Sequence, residues 1–166
     1  MTKIFENGKE GKELPEIESI YPEIVKVWVE PGVRMLQRGS TMAAGVDLQI
    51  KEDAVIPSDD VIMVGTGARV SIPEGYFGMV VVRSSVGRDG VALANQVGII
   101  DADYRGKIQL ALTSQVGCEI FLEAGTRVAQ LIVLPLPHVA YTKVSDVNDL
   151  GKTSRGEGGF GSSGRQ

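Results

Sequence analysis

Short runs of β-branched and other apolar residues, separated by glycines and prolines, recur along the middle of this chain. They read DAVI, DVIMVGTG, ARVSIP and YFGMVVV, and they are punctuated by Pro57, Gly65, Gly67, Pro73 and Gly75. This spacing is typical of short antiparallel strands, and the sequence shows no sustained helical period. The pattern therefore predicts an all-β fold.

Alternating side chains extend the same prediction to both ends of this region. In IVKVWVE one face carries only valines, and we expect Trp28 to pack in the core or at an interface. GKIQLALTS alternates in the same way. In RVAQLIVLPLP the only polar positions are Arg127 and Gln130, so both need partners if this strand is buried.

Composition divides the chain into three parts. Residues 1–22 are charged and interrupted by glycine and proline, and residues 145–166 are polar and end in a glycine-rich segment. We therefore expect an amino-terminal extension over 1–22, a β domain over 23–144 and a flexible carboxy-terminal arm over 145–166. A chain of 166 residues is long enough for one such domain with a sizeable core.

Charge, cysteine content and hydropathy exclude several classes of function. A formal net charge of −4 leaves no basic face, so we expect no nucleic-acid binding. No apolar run approaches the roughly 20 residues of a membrane span, and the start of the chain lacks the apolar segment of a secretory signal. The single cysteine, Cys118, fits a reducing compartment, and we expect it to be a small core residue. We predict a soluble protein of the cytoplasm.

A carboxylate and an aromatic ring meet in the stretch NQVGIIDADYRG, residues 95–106. Its apolar residues favour a strand and the Asp-Ala-Asp that follows favours a tight turn, so we interpret the stretch as a β-hairpin. Asp101 would then sit on a stiff element with Tyr104 beside it, which suits a substrate with a planar ring. An ordinary Asp-rich turn with a half-buried Tyr104 is the alternative, and this stretch alone does not decide.

Three further stretches carry groups suited to a polyphosphate. RSSVGRDG places a guanidinium and two hydroxyls at the end of a strand, where they can hold phosphate oxygens, although a Ser-capped turn with a solvated Arg83 is also compatible. In AAGVDLQI the carboxylate of Asp47 lies within an apolar strand and needs a partner or a function. In SRGEGGFGSSGRQ the glycines would let Arg155 reach a phosphate and Phe160 cover a base.

Five stretches in order resemble the motifs of the trimeric deoxyuridine triphosphatase (dUTPase) family: AGVDL, RSSVG, NQVGIIDADYRG, RVAQ and RGEGGFGSSG. The resemblance implies a β jelly roll that forms a threefold homotrimer, with each active site built from motifs of different subunits. It also implies hydrolysis of dUTP to dUMP and pyrophosphate with Mg²⁺ as cofactor. The metal would be bound chiefly by the phosphates of the substrate.

The resemblance further implies a role for particular residues. Asp101 would orient or deprotonate the attacking water, and Asp47 would engage the waters around magnesium. The positions implied to bind substrate are Asn95, Gly98 and Ile100 at the uracil, Tyr104 under the deoxyribose, Arg83, Ser84, Ser85 and Gln130 at the triphosphate, and Arg155, Phe160, Gly161 and Ser162 on the arm that closes over the nucleotide.

Two departures from the family pattern keep other hypotheses open. Ser85 stands where many family members have glycine, and the related dCTP deaminases, which share the fold and the trimer, also carry Arg-Ser-Ser. Those deaminases use a glutamate as proton shuttle in the strand after the hairpin, where this chain has Ala111, so a deaminase would lack its general acid/base. The resemblance does not extend to residues 1–22. A non-catalytic jelly-roll protein that binds or regulates a partner is the remaining alternative.

Overall fold

The computed structural model describes residues 23–159, together with the backbone of two short strands at residues 5–6 and 9–10. In this part of the chain the strands are β1 (Phe5–Glu6), β2 (Lys9–Glu10), β3 (Lys26–Val29), β4 (Val46–Gln49), β5 (Ala54–Ile56), β6 (Ile62–Gly65), β7 (Ala68–Ser71), β8 (Tyr76–Val82), β9 (Val91–Leu93), β10 (Gly98–Ile100), β11 (Gln109–Ser114), β12 (Ile120–Leu122) and β13 (Arg127–Pro135). A short helix, α1 (Ser84–Arg88), follows β8, and a 3-10 helix covers Val147–Leu150. The all-β prediction is confirmed.

The strands pair antiparallel in several small sheets. The largest has the order β10-β8-β13-β4, a second has the order β6-β11-β9, and β12-β5, β3-β7 and β1-β2 form two-stranded ribbons. One cluster of buried apolar side chains, contributed by both larger sheets, forms the core. The predicted alternation in GKIQLALTS is confirmed, because Ile108, Leu110 and Leu112 are 1%, 0% and 0% exposed. Among the residues described, no helix is long and apolar enough to cross a membrane.

The interpretation of residues 95–106 as a hairpin is wrong. Its strand, β10, pairs with β8, and the chain does not return along β10 after the turn. Instead the segment after the turn runs beside β7, because Ile108 donates its N–H to the Ala68 carbonyl and accepts from the N–H of Thr66. The turn is closed by a hydrogen bond of 3.1 Å from the Tyr104 N–H to the Asp101 carbonyl.

One packing prediction also differs from the structure. Cys118 is exposed, in the bend between β11 and β12, so the prediction of a core cysteine is wrong. Trp28 was predicted in the core or at an interface; it is 52% exposed, because valines occupy the inward face of β3 and leave the indole on the outer face, so it does not lie in the core and the interface stays a prediction. The extension over residues 1–22 lies outside the described residues except for its two short strands, and Phe160, Gly161 and Ser162 lie outside them entirely.

Candidate active site

Asp47 and two arginines form a charged cluster at one end of the largest sheet. One carboxylate oxygen of Asp47 lies 2.9 Å from the Nε of Arg83, and the other lies 2.9 Å from a terminal nitrogen of Arg127. The Asp47 side chain is 13% exposed, whereas those of Arg83 and Arg127 are 28% and 56% exposed. The cluster carries a net positive charge and keeps guanidinium N–H groups at the surface, so it suits an anion.

A β-bulge explains how Arg127 reaches Asp47. Asp47 lies opposite Gln130 on β13, and the register shifts between Arg127 and Ala129, so that Arg127 lies opposite Gln49. Without the bulge, Arg127 would fall on the other face of the sheet, because successive side chains alternate. Sequence reasoning placed Gln130 in the site and missed Arg127, although an arginine in an apolar strand was a signal that it has a partner.

The glycine of the AGVDL stretch allows this close packing. A Cβ on Gly45 would lie 2.9 Å from the Leu131 carbonyl oxygen and 3.1 Å from the side-chain oxygen of Gln130. Only glycine lets the chain entering β4 approach β13 so closely. The residue therefore sets the position of Asp47, two residues later, against β13.

Arg83 directly follows β8 and precedes α1, as expected for a strand followed by a short helical start. Its N–H donates to the Val128 carbonyl at 2.9 Å, and its guanidinium also donates to the Arg127 carbonyl at 3.3 Å. These bonds tie the start of α1 to β13. Ser84 and Ser85 lie exposed in the first turn of α1, next to the charged cluster. The structure therefore brings Asp47, Arg83, Ser84, Ser85 and Gln130 to one end of the sheet.

The turn after β10 presents the second group of predicted residues. Asp101 is exposed, and Tyr104 is 42% exposed with its hydroxyl donating to the Lys107 carbonyl at 2.9 Å. The phenol ring folds over Gly106, where any Cβ would collide with it. The hydroxyl end of the ring is therefore held against the backbone while part of the ring stays accessible. Asp101 and Tyr104 lie together, as the predicted turn required.

β10 lies at the edge of the largest sheet and follows a sharp bend. Asn95 is exposed, its carbonyl accepts from the Val97 N–H at 2.6 Å, and Gln96 has a φ of +60°. A Cβ on Gly98 would lie 3.2 Å from the Cβ of Val80 across the ladder. In the described part of the chain, β10 pairs only with β8, so backbone groups of Gly98–Ile100 on the far edge are free to bind a ligand.

Arg155 belongs to a third group, beyond the last strand. Its Nε donates to the Gly158 carbonyl at 2.8 Å, and Gly158 donates its N–H to the Arg155 carbonyl at 3.0 Å. Gly156, with a φ of +52°, permits this compact turn. The guanidinium is thus turned back on its own segment. The other predicted residues of this arm lie outside the described residues.

Within one chain the two carboxylates of the candidate site are far apart. Asp47 lies level with Val81 of β8. Asp101 directly follows Ile100, which lies opposite Gly78 near the other end of β8. Three inter-strand steps of about 4.8 Å and about four residues along the strand put the two Cα atoms roughly 20 Å apart.

Within residues 23–159, the chain by itself offers few ligands for a metal ion. The described residues contain no group of three or more His, Cys, Asp or Glu side chains arranged to hold one. Asp47 is the carboxylate of the charged cluster, and an arginine lies against each of its oxygens. Magnesium usually keeps several waters and is held by one or two carboxylates together with substrate phosphates. Asp47 therefore fits contact with a metal only through water, on a substrate that brings most of the ligands.

Comparison with known proteins identifies relatives of most of the described region. The sequence model of the dUTPase family matches residues 32–164. The deoxyuridine 5'-triphosphate nucleotidohydrolase of Cutibacterium acnes is 41% identical over 123 residues, which cover 73% of this chain and 79% of the relative. The enzyme of the same name from Escherichia phage T5 is 42% identical over 134 residues, covering 76% of this chain and 88% of the relative.

A solved structure gives the same result for the fold. The dUTPase of Staphylococcus bacteriophage 80alpha, in a structure with dUpNHpp, matches with a TM-score of 0.77 and 26% identity, covering 86% of this chain and 99% of that chain. The predicted jelly-roll fold is thereby confirmed.

Proposed function

The chain belongs to the dUTPase family, and on this premise we propose that it hydrolyses dUTP to dUMP and pyrophosphate. The structural observation that carries the proposal is the cluster of Asp47, Arg83 and Arg127, which presents cationic groups for a polyphosphate. It occurs in the same chain as an exposed carboxylate and a tyrosine at a turn suited to a nucleoside. Action in the cytoplasm stays a prediction.

The edge of β10 is the proposed uracil site. Uracil has donors and acceptors in the plane of its ring, and the free backbone groups of Gly98–Ile100 supply the complementary set along a strand edge. The Asn95 side chain adds an amide at the same bend. Tyr104 would lie under the deoxyribose, since its ring is held against Gly106 with part of its surface accessible. A rigid ring at that position leaves little room for a ribose 2′-hydroxyl.

Asp101 is the proposed base for the attacking water. An exposed carboxylate can accept the water proton as oxygen attacks the α-phosphorus, and pyrophosphate then leaves. Arg83, oriented by Asp47, stabilises negative charge on the phosphate chain, with Ser84, Ser85 and Gln130 donating further hydrogen bonds. Mg²⁺, held chiefly by the phosphates and contacted by Asp47 through water, would add charge neutralisation when bound. No covalent intermediate is needed.

The separation of the two carboxylates supports sites shared between subunits. A general base has to lie within about 3 Å of the water it activates. The Arg83 cluster has to bind the phosphate chain of the same nucleotide, yet Asp47 and Asp101 are roughly 20 Å apart in one chain. In the proposed homotrimer, one chain therefore supplies the turn that binds the nucleoside and the base Asp101. Another chain supplies the arginine cluster that binds the phosphates.

The carboxy-terminal arm completes the proposed site. Arg155 would exchange its bond to the Gly158 carbonyl for a phosphate oxygen when the arm closes, and Phe160 would cover the uracil. Gly161 and Ser162 would supply backbone and hydroxyl donors beside them. Closure would exclude bulk water during hydrolysis.

The rival hypotheses lose support at particular positions. Ala111, at the position of the deaminase glutamate, lies on β11 with its carbonyl bonded to the Ala94 N–H, and it offers no acid or base. A non-catalytic binding protein has no need for an oriented arginine cluster and a separate exposed Asp101. Binding of a protein partner remains compatible with catalysis.

The direct test offers the purified protein dUTP, UTP, dTTP and dCTP in parallel, with magnesium, and identifies the products. Selective release of dUMP and pyrophosphate from dUTP is the expected result. Ammonia and dUTP from dCTP would establish deamination instead, and no turnover of any nucleotide would favour the binding protein.

Mixing two impaired variants tests the shared site. Chains carrying Asp47→Asn and chains carrying Asp101→Asn are unfolded together, refolded together and assayed. If the two residues act from different chains, random trimers contain some sites with both carboxylates, and roughly a quarter of the parent activity returns. If both act from one chain, the mixture shows no more than the average activity of the two variants alone.

A further inference from the structure

The ribbon of β3 and β7 holds an arginine against the only tryptophan. Trp28 and Arg69 are directly opposite in the antiparallel register, so their side chains share the outer face. The guanidinium carbon of Arg69 lies 5.9 Å from the centre of the indole ring, within range of a cation–π interaction. The stack restricts the conformations of Arg69 and aims its remaining N–H groups.

Arg69 uses one of these groups to bind the segment that leaves the candidate active-site turn. Its terminal nitrogen donates to the Arg105 carbonyl at 2.8 Å. Arg105 comes directly after Tyr104, and its own guanidinium donates to the carbonyls of Ala102 and Tyr104 at 2.6 and 2.8 Å. The turn is thus closed on itself by Arg105 and joined to the rigid ribbon by Arg69.

An ion pair forms a second connection between the same two elements. Glu30, just after β3, lies 2.6 Å from the ammonium of Lys107 and 2.7 Å from that of Lys51. The Glu30 side chain is 11% exposed, and its backbone N–H donates to the Gly67 carbonyl at 2.8 Å, so the carboxylate has a fixed position. Lys107 also provides the carbonyl that accepts the Tyr104 hydroxyl.

We propose that Arg69, stacked on Trp28, is a positioning residue for Tyr104 and therefore for discrimination between deoxyribose and ribose. In this role Arg69 acts by fixing the backbone at Arg105, next to Tyr104, and not by contact with substrate. The inference rests on the proposed function, because it assigns Tyr104 to the sugar. Arginine suits the role better than lysine, since its planar fork can stack on the indole and donate to a carbonyl at the same time.

The test compares Arg69→Met with Lys26→Met. Lys26 lies on the same outer face of the ribbon, opposite Ser71, so its replacement removes a cation from the same strand pair without touching the turn. For Arg69→Met we expect the KM for dUTP to rise about tenfold, the scale of one lost hydrogen bond. We also expect the preference for dUTP over UTP to fall by a similar factor, with kcat changing less. Arg69→Lys should recover only part of the preference, and Lys26→Met should match the parent.

Hydrogen exchange supplies a readout independent of activity. In Arg69→Met the amides of residues 102–107 should exchange faster than in the parent, and in Lys26→Met they should not. If the protein does not hydrolyse dUTP, the proposed function fails, and faster exchange would still support the connection between Arg69 and the turn. Unchanged exchange, or faster exchange with an unchanged preference for dUTP over UTP, would overturn the positioning role.

A milder variant covers the case in which Arg69→Met does not fold. Trp28→Leu keeps an apolar side chain and leaves the Arg69 donor in place but removes the ring that orients it. It should lower the preference for dUTP over UTP in the same direction and by a smaller factor. A parent-like preference in Trp28→Leu would show that the stack does not position Arg69.

Discussion

The carboxylate of Asp47 lies 2.9 Å from the Nε of Arg83, and this contact joins β4 to the residue between β8 and α1. The two residues are on neighbouring parts of the fold only because β13 lies between β4 and β8 and pairs with both. Asp47 therefore orients Arg83 before any substrate arrives. A pre-oriented guanidinium needs no reorganisation as charge develops on the phosphates.

Asp47→Asn tests this orientation. The amide keeps the size of the side chain but loses the charge that holds both arginines, so kcat/KM for dUTP should fall about ten- to a hundredfold. A higher magnesium concentration should also be needed for half-maximal rate. A magnesium titration at saturating dUTP measures this shift, with the exposed Asp59→Asn as control. An unchanged magnesium requirement would contradict the role of Asp47 near the metal.

Asp101→Asn separates binding from chemistry. An amide can still accept a hydrogen bond but cannot take the water proton, so kcat should fall about 10²- to 10⁴-fold while dUpNHpp still binds. Single-turnover kinetics and titration with dUpNHpp give the two quantities. Asp103→Asn, an exposed carboxylate in the same turn, is the matched control and should stay close to the parent. Parent-like turnover in Asp101→Asn would refute the assignment of the base.

Gly106→Ala tests the packing of the Tyr104 ring against Gly106. The added methyl would collide with the phenol, so the ring has to move or the turn has to open. We expect a loss of about 1–3 kcal/mol in the free energy of unfolding and a KM for dUTP raised about tenfold. Gly65→Ala is the control, because a Cβ there meets nothing within 4 Å. Denaturant unfolding and steady-state kinetics of both variants provide the comparison.

The contacts of Glu30 with two lysines predict that the protein becomes less stable at acid pH. Hydrogen bonds from Lys107 and then Lys51 lower the pKa of Glu30 from 4.5 to about 2. The native state therefore holds its proton less tightly than the unfolded chain, and the stabilisation is present above pH 4.5 and lost as the pH falls towards 2. Glu30→Gln should lower the Tm at pH 7, and the difference from the parent should shrink across this window. A Tm difference independent of pH would exclude the charge as its cause.

Removal of residues 155–166 tests the arm. The strands end at Pro135, so the truncated chain keeps its core and should keep the Tm and the oligomeric state of the parent. It loses Arg155 and the glycine-rich segment, and hydrolysis of dUTP should become undetectable. Light scattering and product analysis on the same preparation give both results. Full activity of the truncated chain would show that the arm takes no part in the reaction.

Local patterns were sufficient to predict the strands and several residues of the candidate site. Alternation exposes or buries every second side chain, and glycines and prolines mark turns between strands, so the all-β fold could be inferred from residues close in sequence. The same held for the turn that brings Asp101 and Tyr104 together, because only two residues separate them. Motif order identified Arg83 and Asp47 as candidates before their contact was known.

Tertiary structure decided which of these segments meet. β10 pairs with β8 and not with the chain after its own turn. That later segment instead forms long-range backbone hydrogen bonds beside β7, which no local sequence pattern encodes. A bulge in β13 turned Arg127 towards Asp47, which lies 80 residues earlier, and the β3–β7 register placed Arg69 on Trp28 and beside Arg105. A local sequence pattern reports the face on which a side chain lies, whereas the partner on that face is set by strand register and packing between residues far apart in the chain.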